Sequence, residues 1–355
     1  MRFPLREDDI SGSIPPRIKI RGILETVMKG KILVTGGAGY IGSFIVRKLK
    51  DAGFETLILD NLSKGHREAV SDFELVKIDL VTEKDKVGEL FAKEKFAGVI
   101  HMAAFIQMGE SYEKPGMYFR NNVVGSLNLL EVMAKHGASN FVFSSSAGVY
   151  GEPENLPIKE EDPKDPANPY GETKLMVERM LPWFDEAHGL KFMSIRYFNA
   201  AGAALDGSIG SDAPNESHLI PKALMAALKG EKFTLFGGDY NTVDGTCVRD
   251  YIHVLDLADT HVLALKALMN GAESNFYNAG YGKGYSNKQV VEMIKEVTGL
   301  DFKVKIGPRR AGDTAALVAS IDKIRNDFGW TPKYGFREII ESAYKWHKGH
   351  PNGYK

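Results

Sequence analysis

The stretch KILVTGGAGYIGSFIVRKL, residues 31–49, decides the architecture of the N-terminal half of this chain. Lys31–Thr35 is a short apolar run of β character. Gly36, Gly39 and Gly42 follow at intervals of three, and the tighter pattern Gly37-x-Gly39-x-x-Gly42 fits as well. Ile41, Ile45 and Leu49 then recur at helical period. A strand, a sharp turn and an amphipathic helix are implied. Glycine is needed where the turn takes positive φ, where backbone approaches a pyrophosphate, and where the helix presses on the strand. The free N–H groups and partial positive charge of the helix start then face the phosphates. A glycine-rich surface turn is the competing reading, and the flanking strand and helix count against it.

The same alternation continues outward. Thr56–Asp60, Phe73–Ile78, Gly98–Met102, Asn140–Ser144 and Lys191–Arg196 read as strands. Glu83–Lys93, Tyr118–His136 and Pro169–His188 read as the helices between them. This predicts an α/β fold, a doubly wound Rossmann-type parallel sheet covered on both faces, with ligands bound beyond the C-terminal strand ends. After Arg196 the rhythm breaks. A helix is expected near Pro221, short strands at Tyr251–Val254 and Phe276–Asn278, and a helix at Lys288–Thr298. The expected division is an N-terminal extension over residues 1–28, disordered and without part in the chemistry. A dinucleotide domain follows over 29–198, with a return segment near 246–280. A smaller mixed α/β substrate domain takes 199–245 and 281–355 at the C-terminal side.

The chain has 355 residues, 43% of them hydrophobic and 26% charged, with a formal net charge of −1. No global field draws it to nucleic acid or to an anionic membrane, so a polyanionic ligand must be held by local groups. No apolar run is long enough to span a bilayer, and the first residues lack the apolar centre of a signal peptide. One cysteine, Cys247, excludes an intrachain disulfide; it reads as a small buried residue and fits a reducing cytoplasm.

Two constellations carry chemistry. Asp60 ends the second strand where a carboxylate can bind an adenosine ribose and repel a 2′-phosphate, which favours NAD over NADP. Lys64 and Arg67 close by work against that preference, and a plain loop aspartate is the alternative. Asp79 and Leu80 end the third strand near the adenine. In NPYGETK, Asn168 and Pro169 mark a helix start, and Tyr170 and Lys174 stand one turn apart on one face. An ammonium beside the phenol is expected to lower its pKa toward neutrality and make Tyr170 a general base. Ser144–Ser146, closing the fifth strand in FSSSAGVYG, can offer a hydroxyl to a substrate oxygen, Ser146 above all.

These residues, with HMAA at 101–104, NNVVGSLNLLE, RYFNAAGA, DGTCVRDYIHVLDLADTH, GPRRAGD at 307–313 and GWTPKYG, resemble the extended short-chain dehydrogenase/reductase family, most closely its nucleotide-sugar 4-epimerase branch. The likeness runs from about Lys29 to Tyr354. It implies a catalytic set of Ser146, Tyr170 and Lys174. It implies an NAD site made by Gly36, Gly39, Tyr40, Ile41, Gly42, Asp60, Asn61, Asp79, Leu80, Ala103, Asn122, Lys174 and Tyr197. Asn199, His218, Leu219, Arg249, Arg310 and Asp313, with Ser146 and Tyr170, would hold a UDP-sugar, and no metal is called for. The implied reaction is reversible C4 epimerisation of a UDP-hexose through a 4-keto intermediate. The implied assembly is a homodimer through a four-helix interface, with apolar faces that include Leu127, Leu130, Met176 and Met180.

Relatives that dehydrate or decarboxylate place an acid just after the equivalent of Ser146; here Ala147 and Gly148 stand there. The chain departs from the family at Gly148, where threonine is common, at Ile106, where some members have lysine, and at His218, where asparagine is frequent. Leu317 stands where residue bulk is thought to gate N-acetylated sugars, so an N-acetylhexosamine, pentose or uronate remains open. The remaining alternatives are a dehydratase or decarboxylase of the same fold, and an NAD-sensing protein without catalysis.

Overall fold

A computed structural model describes residues 30–213, 216–310 and 312–354; the expected extension over 1–28 lies outside the described residues. Its strands in chain order are β1 (Lys31–Thr35), β2 (Glu55–Leu59), β3 (Glu74–Val76), β4 (Phe96–His101), β5 (Asn140–Ser144), β6 (Lys191–Tyr197), β7 (Asn199–Ala201), β8 (Phe233–Phe236), β9 (Val248–His253), β10 (Asn275–Ala279), β11 (Gly284–Ser286), β12 (Val304–Gly307) and β13 (Ala316–Leu317). Seven of them pair, all in parallel, in the order β10-β6-β5-β4-β1-β2-β3. The order reverses between β1 and β4. Thr35 is in register with both Leu59 and His101, so three strands end level and a crevice opens between the chains leaving β1 and β4.

Alternate side chains of these strands enter opposite cores. Ile32, Val34, Ile58 and Ile100 join the helices Tyr40–Asp51 and Val254–Met269 on one face. Leu33, Leu57, Val99, Phe141 and Phe143 join Lys84–Lys93, Gly125–His136 and Pro169–His188 on the other. Burial on both sides explains why the strand sequences are almost continuously apolar.

The strands Lys31–Thr35 and Asn140–Ser144 and the helix Pro169–His188 have the predicted bounds, and most other elements differ by a residue or two. The expected single helix Tyr118–His136 does not form. Pro115–Tyr118 is α-helical, Phe119–Val124 is a π-helix, and Gly125–His136 is α-helical again. After β6 the chain builds a second sheet around β9, which pairs antiparallel with β11 and parallel with β13 and β7. β8 and β12 form a separate parallel pair. The expected strand Tyr251–Val254 is the end of the longer β9, while β10 returns to the edge of the seven-stranded sheet beside β6. The helices Leu219–Lys229, Asn287–Thr298 and Phe336–Gly349 share a third core with β8 and β9.

Candidate active site

The glycines of the opening stretch do different jobs. Gly36 has φ +69°, and a Cβ there would stand 2.6 Å from the backbone nitrogen of Ala103. A Cβ on Gly42 would stand 2.3 Å from the carbonyl oxygen of Gly36. The first glycine lets the β1 and β4 loops meet, and the third lets the helix sit on the turn. Gly39 caps that helix with extended backbone; no side chain caps it and no acidic residue occupies its first turn. The donors at its start therefore suit an anion.

One open cleft beside this turn is lined by Gly36, Gly39, Asp60, Asn61, Asp79, Leu80 and Ala103, seven of the residues assigned to NAD. Asp60 accepts from the backbone N–H groups of Ala38 (3.0 Å) and Leu62 (2.8 Å); burial raises its pKa and those donors oppose the rise. The Asn61 amide donates to Asp79 at 2.7 Å. Burial works against the Asp79 charge, but donors from Asn61, Thr82 and Val81 outweigh it and hold the carboxyl below its ordinary value. A cradle that a single Cβ would fill, with a buried carboxylate at the end of β2, fits a dinucleotide. Tyr40 points elsewhere: its hydroxyl donates to the Gly202 carbonyl at 2.6 Å, leaving only its backbone in the turn. Asn122 is buried, and its amide is engaged by Phe105 and Thr173.

The residues expected to transfer the proton, Tyr170 and Lys174, sit on the helix Pro169–His188. Asn168 caps it, its Oδ1 accepting from Gly171 N at 2.9 Å, with Pro169 in the first turn as the sequence implies. A Cβ on Gly171 would stand 2.4 Å from the Gly148 carbonyl oxygen, so this glycine lets the helix press against the turn that carries Ser146. Tyr170 and Lys174 are buried, 7% and 3% exposed. Ser146 Oγ accepts from Gly148 N at 3.0 Å and lies near enough to Tyr170 to favour its charged form. Lys174 Nζ donates to the Ser144 carbonyl at 2.6 Å and lies 4.9 Å from the Phe143 ring centroid. Ser144 Oγ donates to the Tyr197 hydroxyl at 3.3 Å, so Ser144, Ser146, Tyr170, Lys174 and Tyr197 are brought together.

The expected lowering of the phenol pKa by the lysine is not what this site shows. Burial, then the neighbouring Tyr197, raise Tyr170 well above its ordinary value, and only Ser146 pulls it down. Burial lowers Lys174 to about 7 despite Glu178. A low-dielectric pocket disfavours charge on either partner, and the ammonium is spent on a carbonyl. Gly148 leaves room beside Ser146 and Tyr170: a Cβ there would stand 3.3 Å from Ser146 Oγ and 3.9 Å from the Tyr170 ring.

The substrate-side residues are less tightly gathered. Arg249 approaches Asp313 at 3.9 Å, and Asn199 Nδ2 donates to the Asp250 carbonyl at 3.1 Å. Leu219 opens its helix after His218, whose imidazole is 2.7 Å from Glu216. Arg310 lies over the Phe236 ring at 4.1 Å. A second cleft is lined by Asp313 with Glu152, Tyr240 and Arg309, the last held by Asp239 at 2.8 Å and lying 4.2 Å from the Tyr240 ring centroid. The sequence reading missed Phe236, Tyr240 and Arg309; aromatic residues one loop away from a paired arginine were their only signal. It also missed His101, quoted in HMAA but given no role. Cys247 is buried, as expected.

The profile of the NAD dependent epimerase/dehydratase family matches residues 32–280. The UDP-glucose 4-epimerase of Halalkalibacterium halodurans is 48% identical over 325 residues, covering 91% of this chain and 97% of its own. A crystal structure of a UDP-glucose 4-epimerase superposes with TM-score 0.88 at 48% identity, over 92% of this chain and 99% of that one. The UDP-glucose 4-epimerase of Brucella ovis, solved in complex with NAD, does so with TM-score 0.86 at 41% identity, over 89% and 97%. With more than two thirds of its length matched by the profile and nine-tenths of it aligned to such relatives, this chain belongs to the NAD-dependent epimerase/dehydratase family.

Proposed function

We propose that this chain is an isomerase that interconverts UDP-glucose and UDP-galactose at C4. The observation that carries the reading is the convergence of Ser146, Tyr170 and Lys174 at the end of β5, next in the sheet to β4, whose following loop lines the glycine-bearing cleft. When bound, NAD supplies the hydride acceptor for oxidation at C4 and the hydride donor for its return. Tyr170 removes the proton of the sugar 4-hydroxyl as C4 becomes a ketone, and gives it back after the sugar has turned over to present its other face. In this scheme Ser146 holds the reacting oxygen, and Lys174 binds the nicotinamide ribose and biases the phenol.

Residues 29–198 with the return near 246–280 bind the cofactor in this scheme. Residues 199–245 and 281–355 bind the sugar nucleotide, with Asn199, His218, Leu219, Arg249, Arg310 and Asp313 on the UDP. The guanidinium groups of Arg249 and Arg310 offer planar, permanently charged donors suited to a diphosphate. Ala147 and Gly148 put no acid beside Ser146, which favours hydride return over dehydration. Pairing of two copies through Tyr118–His136 and Pro169–His188 is part of the proposal. Leu127, Met176 and Met180 are half-buried there and Trp183 is 70% exposed, whereas Leu130 is wholly in the core.

The test is to incubate the protein separately with UDP-galactose and UDP-N-acetylgalactosamine and to identify products by NMR. An epimer of unchanged mass supports the scheme, and the two substrates together read out the effect of Leu317. Loss of water would make the chain a dehydratase. Retained NAD with no product would make it a sensor.

A further inference from the structure

A hydrogen-bonded chain of buried side chains runs from the end of β1 to the catalytic helix. Thr35 Oγ1 lies 2.6 Å from His101 Nδ1, and His101 Nε2 lies 2.8 Å from Ser126 Oγ. Ser126 donates to the carbonyl oxygen of Asn122, inside the π-helix. The Asn122 amide donates to Thr173 Oγ1 at 3.0 Å, and Thr173 donates to the carbonyl oxygen of Tyr170 at 2.7 Å. Thr35 and Thr173 are fully buried; His101, Asn122 and Ser126 are 2% exposed.

The donors and acceptors fix one another. Ser126 spends its hydrogen on Asn122, so its oxygen accepts from His101 Nε2–H. His101 Nδ1 then accepts from the Thr35 hydroxyl, which requires a neutral imidazole of one tautomer. Burial, and then the charge of Lys174, keep it neutral, with a pKa of about 3. The other edge of Asn122 clamps the loop after β4, accepting from Phe105 N at 2.8 Å and donating to Phe105 O at 3.0 Å. That loop carries Ala103, the residue against which Gly36 turns. A π-helix is an uncommon conformation, seen chiefly where function requires it. Here its widened turn lies where one asparagine can serve β4, Ser126 and the catalytic helix together.

We propose that Thr173, His101 and Ser126, gathered around Asn122, are positioning residues: they hold the first turn of the catalytic helix at a fixed place relative to the glycine turn, and so set the Tyr170 phenol against the cofactor site. The inference rests on the reading of Tyr170 as the general base. A core that merely filled space would need no such directional chain, and apolar residues of similar shape would serve as well.

Thr173→Val keeps the branched shape and removes the hydroxyl. It is expected to lower kcat for UDP-galactose by about tenfold or more, leave KM within about twofold, and leave the NAD that co-purifies per protomer unchanged. Thr173→Ser, which keeps the hydroxyl, is expected to recover most of kcat. Ser126→Ala should show the same split, and the double variant should lose little more than the worse single one, because both cut one network. Should Thr173→Val fail to fold, Ser126→Ala with the same three readouts carries the test. A kcat within about twofold of the parent in Thr173→Val, or an equal loss in Thr173→Ser, would overturn the proposal. Tyr170→Phe run in parallel separates the failures: if it stays active, the base assignment falls, and if it is inactive while Thr173→Val is unimpaired, only the positioning chain falls.

Discussion

Tyr170 and Lys174 meet in a pocket that favours charge on neither. Burial lifts the phenol and drops the lysine to about 7, so a charged Lys174 is held at a cost to the fold. A lysine depressed in the folded state destabilises below its unfolded value. The cost is fully present below pH 7 and fades as pH rises toward about 10.4. Lys174→Met is therefore expected to raise the thermal midpoint at pH 7 while abolishing turnover. Calorimetry beside a coupled assay checks both halves. Tyr170→Phe is expected to lower kcat by roughly 10²–10⁴-fold with the fold retained, read by steady-state kinetics and circular dichroism. At this scale the sequence told much. Gly36, Gly39, Asp60, Asn61, Asp79, Leu80 and Ala103 line one cleft, because a glycine turn and the strand ends beside it belong to one local pattern. His101 told nothing, since its partners Thr35 and Ser126 lie 66 and 25 residues away along the chain.

The helix Pro169–His188 is placed by two devices. At its start, Gly171 lets the backbone ride on the Gly148 carbonyl. Gly171→Ala brings a Cβ to 2.4 Å of that oxygen, and the helix must move off the Ser146 turn. A fall in kcat of about tenfold or more is expected, larger than any change in KM, by steady-state kinetics. Two turns further on, Glu178 accepts from Arg196 at 2.8–3.1 Å and from Ser194 at 2.8 Å, with ion-pair side chains 5% and 2% exposed. Arg196 also reaches the Tyr150 hydroxyl at 3.0 Å. Glu178→Ala leaves a buried guanidinium without its carboxylate and is expected to cost roughly 3–5 kcal/mol, read from urea unfolding. Helix bounds such as these were legible from the Asn168 cap and Pro169. The π-helix Phe119–Val124 was not: nothing in FRNNVV breaks helical period, and the contacts that hold the widened turn are with Phe105, in the loop after β4, and with Thr173.

The whole molecule carries buried histidines whose neutrality is part of folding. Burial brings His101 to about 3, and His253 and His261 to about 4. His253 Nδ1 accepts from Leu255 N at 3.1 Å and has no place for a proton. The unfolded chain takes up protons at these rings below about pH 6.5 while the folded one does not, so stability falls as pH drops below that value. Asp250 works the other way: burial raises it to about 6, so its charge costs least in acid. The three histidines outweigh it. Lowering pH from 7 to 5 is expected to cost on the order of 2 kcal/mol per histidine, less the smaller return from Asp250, and thermal melts across that range check the sign. The sequence by itself determined the α/β class, the parallel sheet, the cofactor turn and the pair Tyr170–Lys174, because each is written in spacings of one to four residues or in the alternation of strand and helix. Tertiary structure alone decided the β9-centred sheet, the stacking of Arg310 on Phe236, the chain through His101 and the protonation of Tyr170 and Lys174. Those depend on segments far apart in sequence and on how much water their meeting excludes, and local pattern carries neither.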